Sequence, residues 1–275
     1  MKRFLSLLLL LTLISSLLIG CQSANESKED TQTQMIIVGA SATPHAEILY
    51  AIKPLLKEQG YSLQIIEFAD YILPNQALSQ GEIDANFFQH QPYLDSFNTE
   101  NNADLVSVAG VHFEPLGIYP GKKSSLAELE AGDEIAVPSD TTNEARALLL
   151  LADNGLIKLN QNAGINATIK DITENPLNLK FRELDAAQIA RALPDVAIGV
   201  INGNYAMLAD LSVETDAIAT EAVDSVAAKT YANILVVKKE NENSEAIKAL
   251  VKAINSDVVK TFIEENYKGS VVPIF

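Results

Sequence analysis

GEIDANFFQHQPYLDSF, residues 81–97, is the stretch of this sequence that says most about its architecture. It begins at a turn glycine, alternates apolar and polar residues as a short strand would over 83–86, and enters a helix at Gln91-Pro92. Proline suits the first helical position because the N–H that it lacks has no intrahelical partner there. Strand-to-helix junctions on a sheet are common places for small-molecule sites. The stretch also concentrates rings in a chain that is 6% aromatic, so it predicts either a pocket for a partly apolar ligand or simple core packing.

The segments before this stretch predict an alternation of strands and helices. Met35–Gly39 is a continuous apolar run, as in a strand buried on both faces of a parallel sheet. A helix over 44–59, kinked or split at Pro54, leads to a strand at Ser62–Phe68, and a short helix opens at Pro74. This order of elements predicts a parallel α/β sheet with right-handed crossovers.

A second cycle of strands and helices begins around Tyr119-Pro120-Gly121-Lys122. Further strands are predicted at 105–113, 115–119, 134–137, 177–183, 196–200 and 231–237. Further helices are predicted at 125–130, 142–153, 186–193, 244–255 and 257–267, and another begins at about 203. We therefore expect two α/β lobes of similar size. The first comprises residues 35–118 and 231–275, with the last strand and helices returning to it, and the second comprises 119–230.

The N-terminus has the organisation of a secretion signal. Basic residues at 2–3 precede an apolar run over 4–19, which is shorter than the roughly 20 residues of a spanning helix. The run ends in Leu18-Ile19-Gly20-Cys21, which resembles the lipobox of bacterial lipoproteins, and that resemblance implies a signal peptide over 1–20 and lipidation of the Cys21 thiol. An ordinary signal that happens to end at a cysteine is the alternative. Residues 21–34 are polar and aperiodic, which predicts a flexible tether between a lipid anchor and a soluble domain.

The bulk composition excludes several classes of function. A formal charge of −16 argues against nucleic acid or an anionic membrane surface as a partner, because both require basic patches. The single cysteine excludes disulfides within the chain, and the three histidines lack metal-ligand spacing. Neither a nucleophile elbow nor a phosphate loop occurs. We therefore expect no enzyme, no cofactor and no metal site.

A second informative stretch, PSDTTNEAR, occupies residues 138–146 after a predicted strand. Thr141 followed by Glu144 matches a capping box, so a helix should begin there with its free N–H groups at the end of the sheet, where they favour an anion. Arg146 in the first two turns would add a bidentate clamp for a carboxylate. The alternative is a surface ion pair of Arg146 with Glu144 or Asp140.

Three further polar residues lie in or beside apolar strands. Asn202 follows one buried strand and Asn233 interrupts another, and an unpaired amide there costs about 1–3 kcal/mol. Both side chains either cap backbone groups or bind a ligand in a cleft. Glu114 lies in a strand-like run, where it either meets a cation or is a solvent-facing edge carboxylate.

Several motifs make the chain similar to a known family. They are PHAEIL (44–49), DYILPN (70–75), IDANFFQH (83–90), PYL (92–94), Asn143 and Arg146 before the leucine run 148–151, INGNYA (201–206) and YAN (231–233). From about Met35 to Phe275 the sequence resembles the substrate-binding lipoproteins of methionine ABC importers, the MetQ/NlpA family. The resemblance implies an α/β, two-lobed fold of the periplasmic-binding-protein type (type II) with the ligand in the interlobe cleft.

The same resemblance implies roles for individual side chains. Arg146 would hold the ligand carboxylate, with Asn143, Asn202 and Asn233 as hydrogen-bonding partners. The side chains that would surround the thioether are Tyr71, Phe88, His90 and Tyr93. Glu114, at a position that varies in the family, would meet the ammonium group. The implied function is delivery of L-methionine, D-methionine or a methionine dipeptide to a permease and its ATPase by a monomeric lipoprotein. A surface lipoprotein with an adhesive or other non-transport role is the alternative.

Overall fold

The computed structural model describes residues 33–223 and 226–275. The predicted signal peptide, Cys21 and nearly all of the predicted tether lie outside these ranges. Among the described residues, no helix combines the length and the apolar character needed to cross a membrane.

The described chain alternates strands and helices along most of its length. The strands are β1 (Gln34–Ser41), β2 (Tyr61–Phe68), β3 (Ala85–His90), β4 (Leu105–Phe113), β5 (Gly117–Pro120), β6 (Glu134–Pro138), β7 (Lys158–Leu159), β8 (Ile172–Glu174), β9 (Lys180–Leu184), β10 (Ile198–Ile201), β11 (Ala219–Thr220), β12 (Asn233–Lys238) and β13 (Val272–Pro273). The α-helices are α1 (Glu47–Glu58), α2 (Leu73–Gln80), α3 (Gln91–Asn101), α4 (Thr141–Asp153), α5 (Ile189–Ala192), α6 (Gly203–Leu208), α7 (Val226–Thr230), α8 (Glu245–Ile254) and α9 (Asp257–Tyr267).

The first lobe is built on a six-stranded sheet in the order β13-β4-β12-β3-β1-β2. Strand β1 runs parallel to β2 and β3, whereas β12 runs antiparallel to β3 and β4. All six residues of β3 are buried, including the polar Asn86, Gln89 and His90. Because β12 pairs within this sheet, the late strand of the chain does return to the first lobe.

The second lobe is built on a five-stranded sheet in the order β11-β5-β10-β6-β9. Strand β6 is parallel to β9 and β10, and β5 is antiparallel to β10. The chain therefore passes between the sheets twice, over 114–116 and over 221–232. The fold is two-lobed α/β, as predicted. The limits of the lobes, 35–118 together with 231–275 for the first and 119–230 for the second, stay a prediction.

One predicted feature of the helices is wrong. Asp140, not Thr141, is the N-cap of α4, and its Oδ1 accepts the N–H of Asn143 at 3.0 Å. The predicted partner Glu144 instead accepts the N–H of Ile169 at 3.1 Å, so no capping box forms there. At Pro54, where a kink or a split was predicted, helix α1 is not split, and the kink stays a prediction. Pro54 is exposed, so the carbonyl that its ring leaves unpaired can bond to water.

The remaining differences concern short elements. Strand β3 begins at Ala85 rather than at 83, and the helix predicted over 186–193 is a chain of short helical turns. Strands β7, β11 and β13 have two residues each and were not predicted, because an alternation cannot be recognised over that length.

Candidate functional site

A small cavity lies where the two lobes meet. Its wall combines an aromatic part with an amide-rich and charged part. The lining residues are Tyr71, Phe88, Gln89, His90, Tyr93, Glu114, Asn143, Arg146, Asn202, Gly203, Asn204 and Asn233. All nine side chains that the sequence nominated are thus brought together, and their roles toward a ligand stay predictions.

The aromatic part of the wall comes from the start of α3, the end of β3 and the turn before α2. The ring centroids of Tyr71, Phe88 and Tyr93 lie 5.9–6.0 Å from one another. The hydroxyl of Tyr93 donates to the carbonyl of Tyr71 at 2.9 Å, which fixes the two rings relative to each other. Neighbouring Phe87 instead packs in the core of the first lobe. The stretch 81–97 therefore forms both core and pocket.

His90 has one defined tautomer because each ring nitrogen has a different partner. It caps α3, with Nδ1 accepting the N–H of Tyr93 at 3.2 Å, so the proton resides on Nε2. Nε2 lies 3.3 Å from Oδ1 of Asn143 and donates to it across the two lobes. Desolvation, followed by the nearby Arg146 charge, lowers the pKa of His90 to about 3. The imidazole is therefore a neutral part of the wall.

The amides of the second lobe leave polar atoms free at the cavity. Asn202 donates to Asn143 at 2.8 Å, yet its Oδ1 is buried with no partner in the described chain. Asn204 accepts the hydroxyl of Tyr71 at 2.5 Å, and its Nδ2 is likewise buried without a described partner. Buried polar groups in proteins are nearly always hydrogen-bonded. These two atoms are therefore the ones that a bound molecule would satisfy.

Arg146 is buried, and its partner is not the one that the sequence suggested. Its Nε and Nη2 donate to the two carboxylate oxygens of Glu221 at 2.8 and 2.5 Å, and Nη2 also donates to the carbonyl of Glu114 at 2.9 Å. The guanidinium lies over the ring of Tyr231, 4.5 Å from its centroid. The predicted surface pair is thus wrong, and the Nε–Nη2 edge is occupied.

Glu114 is buried at the crossing between the sheets rather than exposed at a strand edge. Nε2 of His112 lies 2.6 Å and Nε2 of His45 lies 3.4 Å from its Oε1. The main-chain N–H of Asn204 also hydrogen-bonds to the carboxylate. Desolvation raises the pKa of Glu114, while His45 and Arg146 act in the opposite direction. The sequence alternative of a solvent-facing carboxylate is therefore wrong.

Four contributors to the site were not found from the sequence. Gln89 and Asn204 line the cavity, and Glu221 forms an ion pair with Arg146. Gly203 leaves room for Glu114, because a Cβ at residue 203 would lie only 2.8 Å from the Cβ of Glu114. Asn204 stands two residues after the nominated Asn202, which was a usable signal. Glu221 lies in a polar segment with no distinguishing pattern, so no signal pointed to it.

This architecture, two α/β lobes joined by two crossings with a polar and aromatic cavity between them, is that of a substrate-binding protein of the periplasmic type. The model of the NlpA lipoprotein family matches residues 36–275, and the chain belongs to that family.

Relatives of known name agree with this placement. The methionine-binding lipoprotein MetQ of Bacillus subtilis is 39% identical over 99% of this chain and 98% of its own length. The D-methionine-binding lipoprotein MetQ of Escherichia coli is 38% identical over 94% of both chains. A nutrient-binding protein from Burkholderia cenocepacia, solved bound to methionine, superposes with a TM-score of 0.83 at 46% identity, covering 87% of this chain and 100% of its own.

Proposed function

We propose that this protein is a lipid-anchored substrate-binding protein that captures methionine outside the cytoplasm and delivers it to the permease of an ABC importer. The observation that carries the proposal is the pairing, in one cavity, of an aromatic wall with free polar atoms. The names of the relatives above support methionine as the ligand. Cys21 would carry the lipid, and residues 21–34 would tether the two lobes to it.

The aromatic wall suits a thioether side chain. Sulfur packs against ring edges with about 0.3–1.5 kcal/mol per contact, and Tyr71, Phe88 and Tyr93 offer three such rings. Burial of the apolar part of the ligand adds roughly 1.5–3 kcal/mol. A ligand of about nine non-hydrogen atoms, enclosed on all sides, reaches nanomolar affinity within the ceiling of roughly −1.5 kcal/mol per atom.

The polar part of the wall suits the two charged groups of an amino acid. Nη1 of Arg146 and Nδ2 of Asn204 would donate to the α-carboxylate, while Glu114 and Oδ1 of Asn202 would accept from the α-ammonium. Asn143 and Asn233 would orient these groups through their own hydrogen bonds. The contact of Arg146 with the carboxylate is made through one nitrogen, because Glu221 holds the other edge.

Calorimetry on delipidated protein, stripped of any co-purified ligand, tests this proposal. We expect saturable binding of L-methionine, D-methionine or a short methionine peptide with one site per chain, and the order of their affinities identifies the physiological ligand. If none of the three binds, the proposal is wrong, and a surface lipoprotein with a non-transport role becomes the better interpretation.

A further inference from the structure

A cluster of three buried titratable side chains lies behind the cavity, and the proposed function uses only one of them. His45, His112 and Glu114 are 1%, 0% and 5% exposed, and Nε2 of His112 hydrogen-bonds to Oε1 of Glu114 at 2.6 Å, while Nε2 of His45 lies 3.4 Å from the same oxygen. Nε2 of His45 also lies 2.9 Å from Oδ1 of Asn233, itself in the cavity wall. The histidines thus contact the site from behind.

The surroundings of the rings define where their protons are. Oxygen atoms face both Nε2 atoms, whereas Nδ1 of His112 is buried with no partner in the described ranges, and the His45 ring also hydrogen-bonds to the main chain of Thr43. In His112 a proton on Nδ1 would create an unsatisfied buried N–H, so this ring carries its proton on Nε2 and donates it to Oε1 of Glu114. Desolvation lowers the pKa of His45 to about 4 and that of His112 to about 3, so both rings are neutral.

Two histidines and a carboxylate are also a familiar zinc ligand set, and their ligand atoms lie within 4.8 Å of one another. Zinc at Nε2 of His112 would move its proton to Nδ1, where the described chain offers no acceptor. The 2.6 Å between Nε2 of His112 and Oε1 of Glu114 is a hydrogen-bond distance, shorter than the roughly 3.3 Å between two ligands of one tetrahedral zinc. The cluster is arranged to hold a carboxylate.

The carboxylate of Glu114 retains room for further donors. His112 and the N–H of Asn204 use two of its roughly four lone-pair sites. The nearest cation, on Arg146, forms its ion pair with Glu221 instead. Glu114 is therefore a carboxylate at the cavity wall with hydrogen-bond donors behind it and no ion pair with lysine or arginine among the described residues.

We propose that His112 is a positioning residue for amino-group recognition: by donating from Nε2 it holds Glu114 as an ionised carboxylate, while His45 holds Asn233 of the same wall, and the cavity consequently requires a ligand with a free α-ammonium group. This inference rests on the proposed function, because it concerns the amino end of the same ligand. Compounds with the methionine side chain but a missing or acylated amino group would leave Glu114 unpaired and are excluded.

Acid should weaken the binding of ammonium ligands. The titratable groups that act on Glu114 are the two histidines, Arg146, Tyr71 and Tyr267. In the range pH 5–7 the histidines stay neutral, and Arg146 and the phenols do not titrate. Protonation of Glu114 is then the event that removes the partner of the ammonium.

The test compares L-methionine with its des-amino analogue, 4-(methylsulfanyl)butanoate, by calorimetry on the purified protein. His112→Phe keeps a ring but removes the donor, and His112→Gln retains an N–H near the position of Nε2. We expect His112→Phe to weaken L-methionine binding at least about tenfold, as for loss of a hydrogen bond to a charged group, with little effect on the analogue. His112→Gln should restore L-methionine binding to near the wild-type value.

Several results would overturn the inference while leaving methionine binding intact. Equal losses for both ligands in His112→Phe would make His112 merely structural. Equal affinities of the wild type for both ligands would remove Glu114 from ammonium recognition, and this arm needs no variant to fold. Stoichiometric zinc binding by the wild type would reassign the cluster. Absence of any methionine binding would instead contradict the proposed function itself.

Discussion

Replacing Arg146 by methionine separates a structural from a ligand-binding role of the guanidinium. Arg146 makes two hydrogen bonds to Glu221 and one to the carbonyl of Glu114. The Glu221 side chain is 8% exposed, so Arg146→Met leaves a buried carboxylate without its cation, which costs about 3–5 kcal/mol. We expect the free energy of unfolding, measured by urea titration of ligand-free protein, to fall by about that amount.

The double variant Arg146→Met with Glu221→Gln is the matched control. Glutamine removes the unpaired charge but keeps an oxygen for the N–H of Leu116, which Glu221 accepts at 2.9 Å. We expect the double variant to recover more than half of the lost stability. Its affinity for methionine should nevertheless stay about 1.5–3 kcal/mol below that of the wild type, roughly a 10- to 150-fold weakening, because the charged donor is still missing.

Calorimetry on both variants, at a temperature where both are folded, decides between the roles. Methionine binding by the double variant within about threefold of the wild type, a difference below 1 kcal/mol, would mean that Arg146 serves only as the partner of Glu221. A stability loss of less than about 1 kcal/mol in the single variant, the range of exposed ion pairs, would contradict the buried pair itself.

Three further predictions concern the wall, the histidines and the anchor. Tyr93→Leu should weaken methionine binding more than alanine binding, with Tyr93→Phe as the control that keeps the ring; calorimetry giving equal losses for the two amino acids would contradict the aromatic pocket. Burial lowers the pKa of each histidine below its unfolded value of about 6.5. The contribution of each neutral ring to the free energy of unfolding should therefore be complete above about pH 6.5. On acidification it should fall by up to about 1.4 kcal/mol per pH unit for each histidine, until the pH reaches the pKa of that histidine in the folded protein. The groups are His45, His90 and His112, with folded pKa values of about 4, 3 and 3. Urea titrations at pH 7.5 and 5 measure this, and equal stabilities would be contrary evidence. Cys21→Ala should abolish incorporation of labelled palmitate in cells and release the protein from membranes, whereas labelling that persists would place the lipid elsewhere.

Much of the fold was predictable because its signals are local. The buried strand β1 contains a continuous apolar run, an apolar and polar alternation leads into β3, and the glycine after α2 adopts φ 77°, a conformation that favours glycine at a helix end. The start of α3 was predicted from a proline at the first turn. Each of these features depends on a few consecutive residues, so tertiary packing did not override it.

The partners of the charged groups were not predictable, because they depend on how distant segments meet. Arg146 and Glu221 are 75 residues apart, and Glu221 comes from a crossing between the sheets rather than from a patterned element. His45 and His112 reach Glu114 from different elements, although their spacing in the sequence gives no sign of a cluster. A single sequence indicates which polar residues are awkwardly buried, but not which of them satisfy one another.

The free polar atoms also explain how a ligand would control closure of the lobes. Tyr71 bonds to Asn204, and His90 to Asn143, across the cavity, so the described conformation is one in which both lobes contact each other. In that conformation Oδ1 of Asn202 and Nδ2 of Asn204 lack described partners, and a buried unpaired polar atom costs about 1–3 kcal/mol. In an open conformation, water can satisfy the same atoms. The free energy of the closed, ligand-free protein is therefore raised. A ligand that hydrogen-bonds to both atoms shifts the equilibrium between the open and closed conformations toward the closed one, by the difference in its binding free energy for the two.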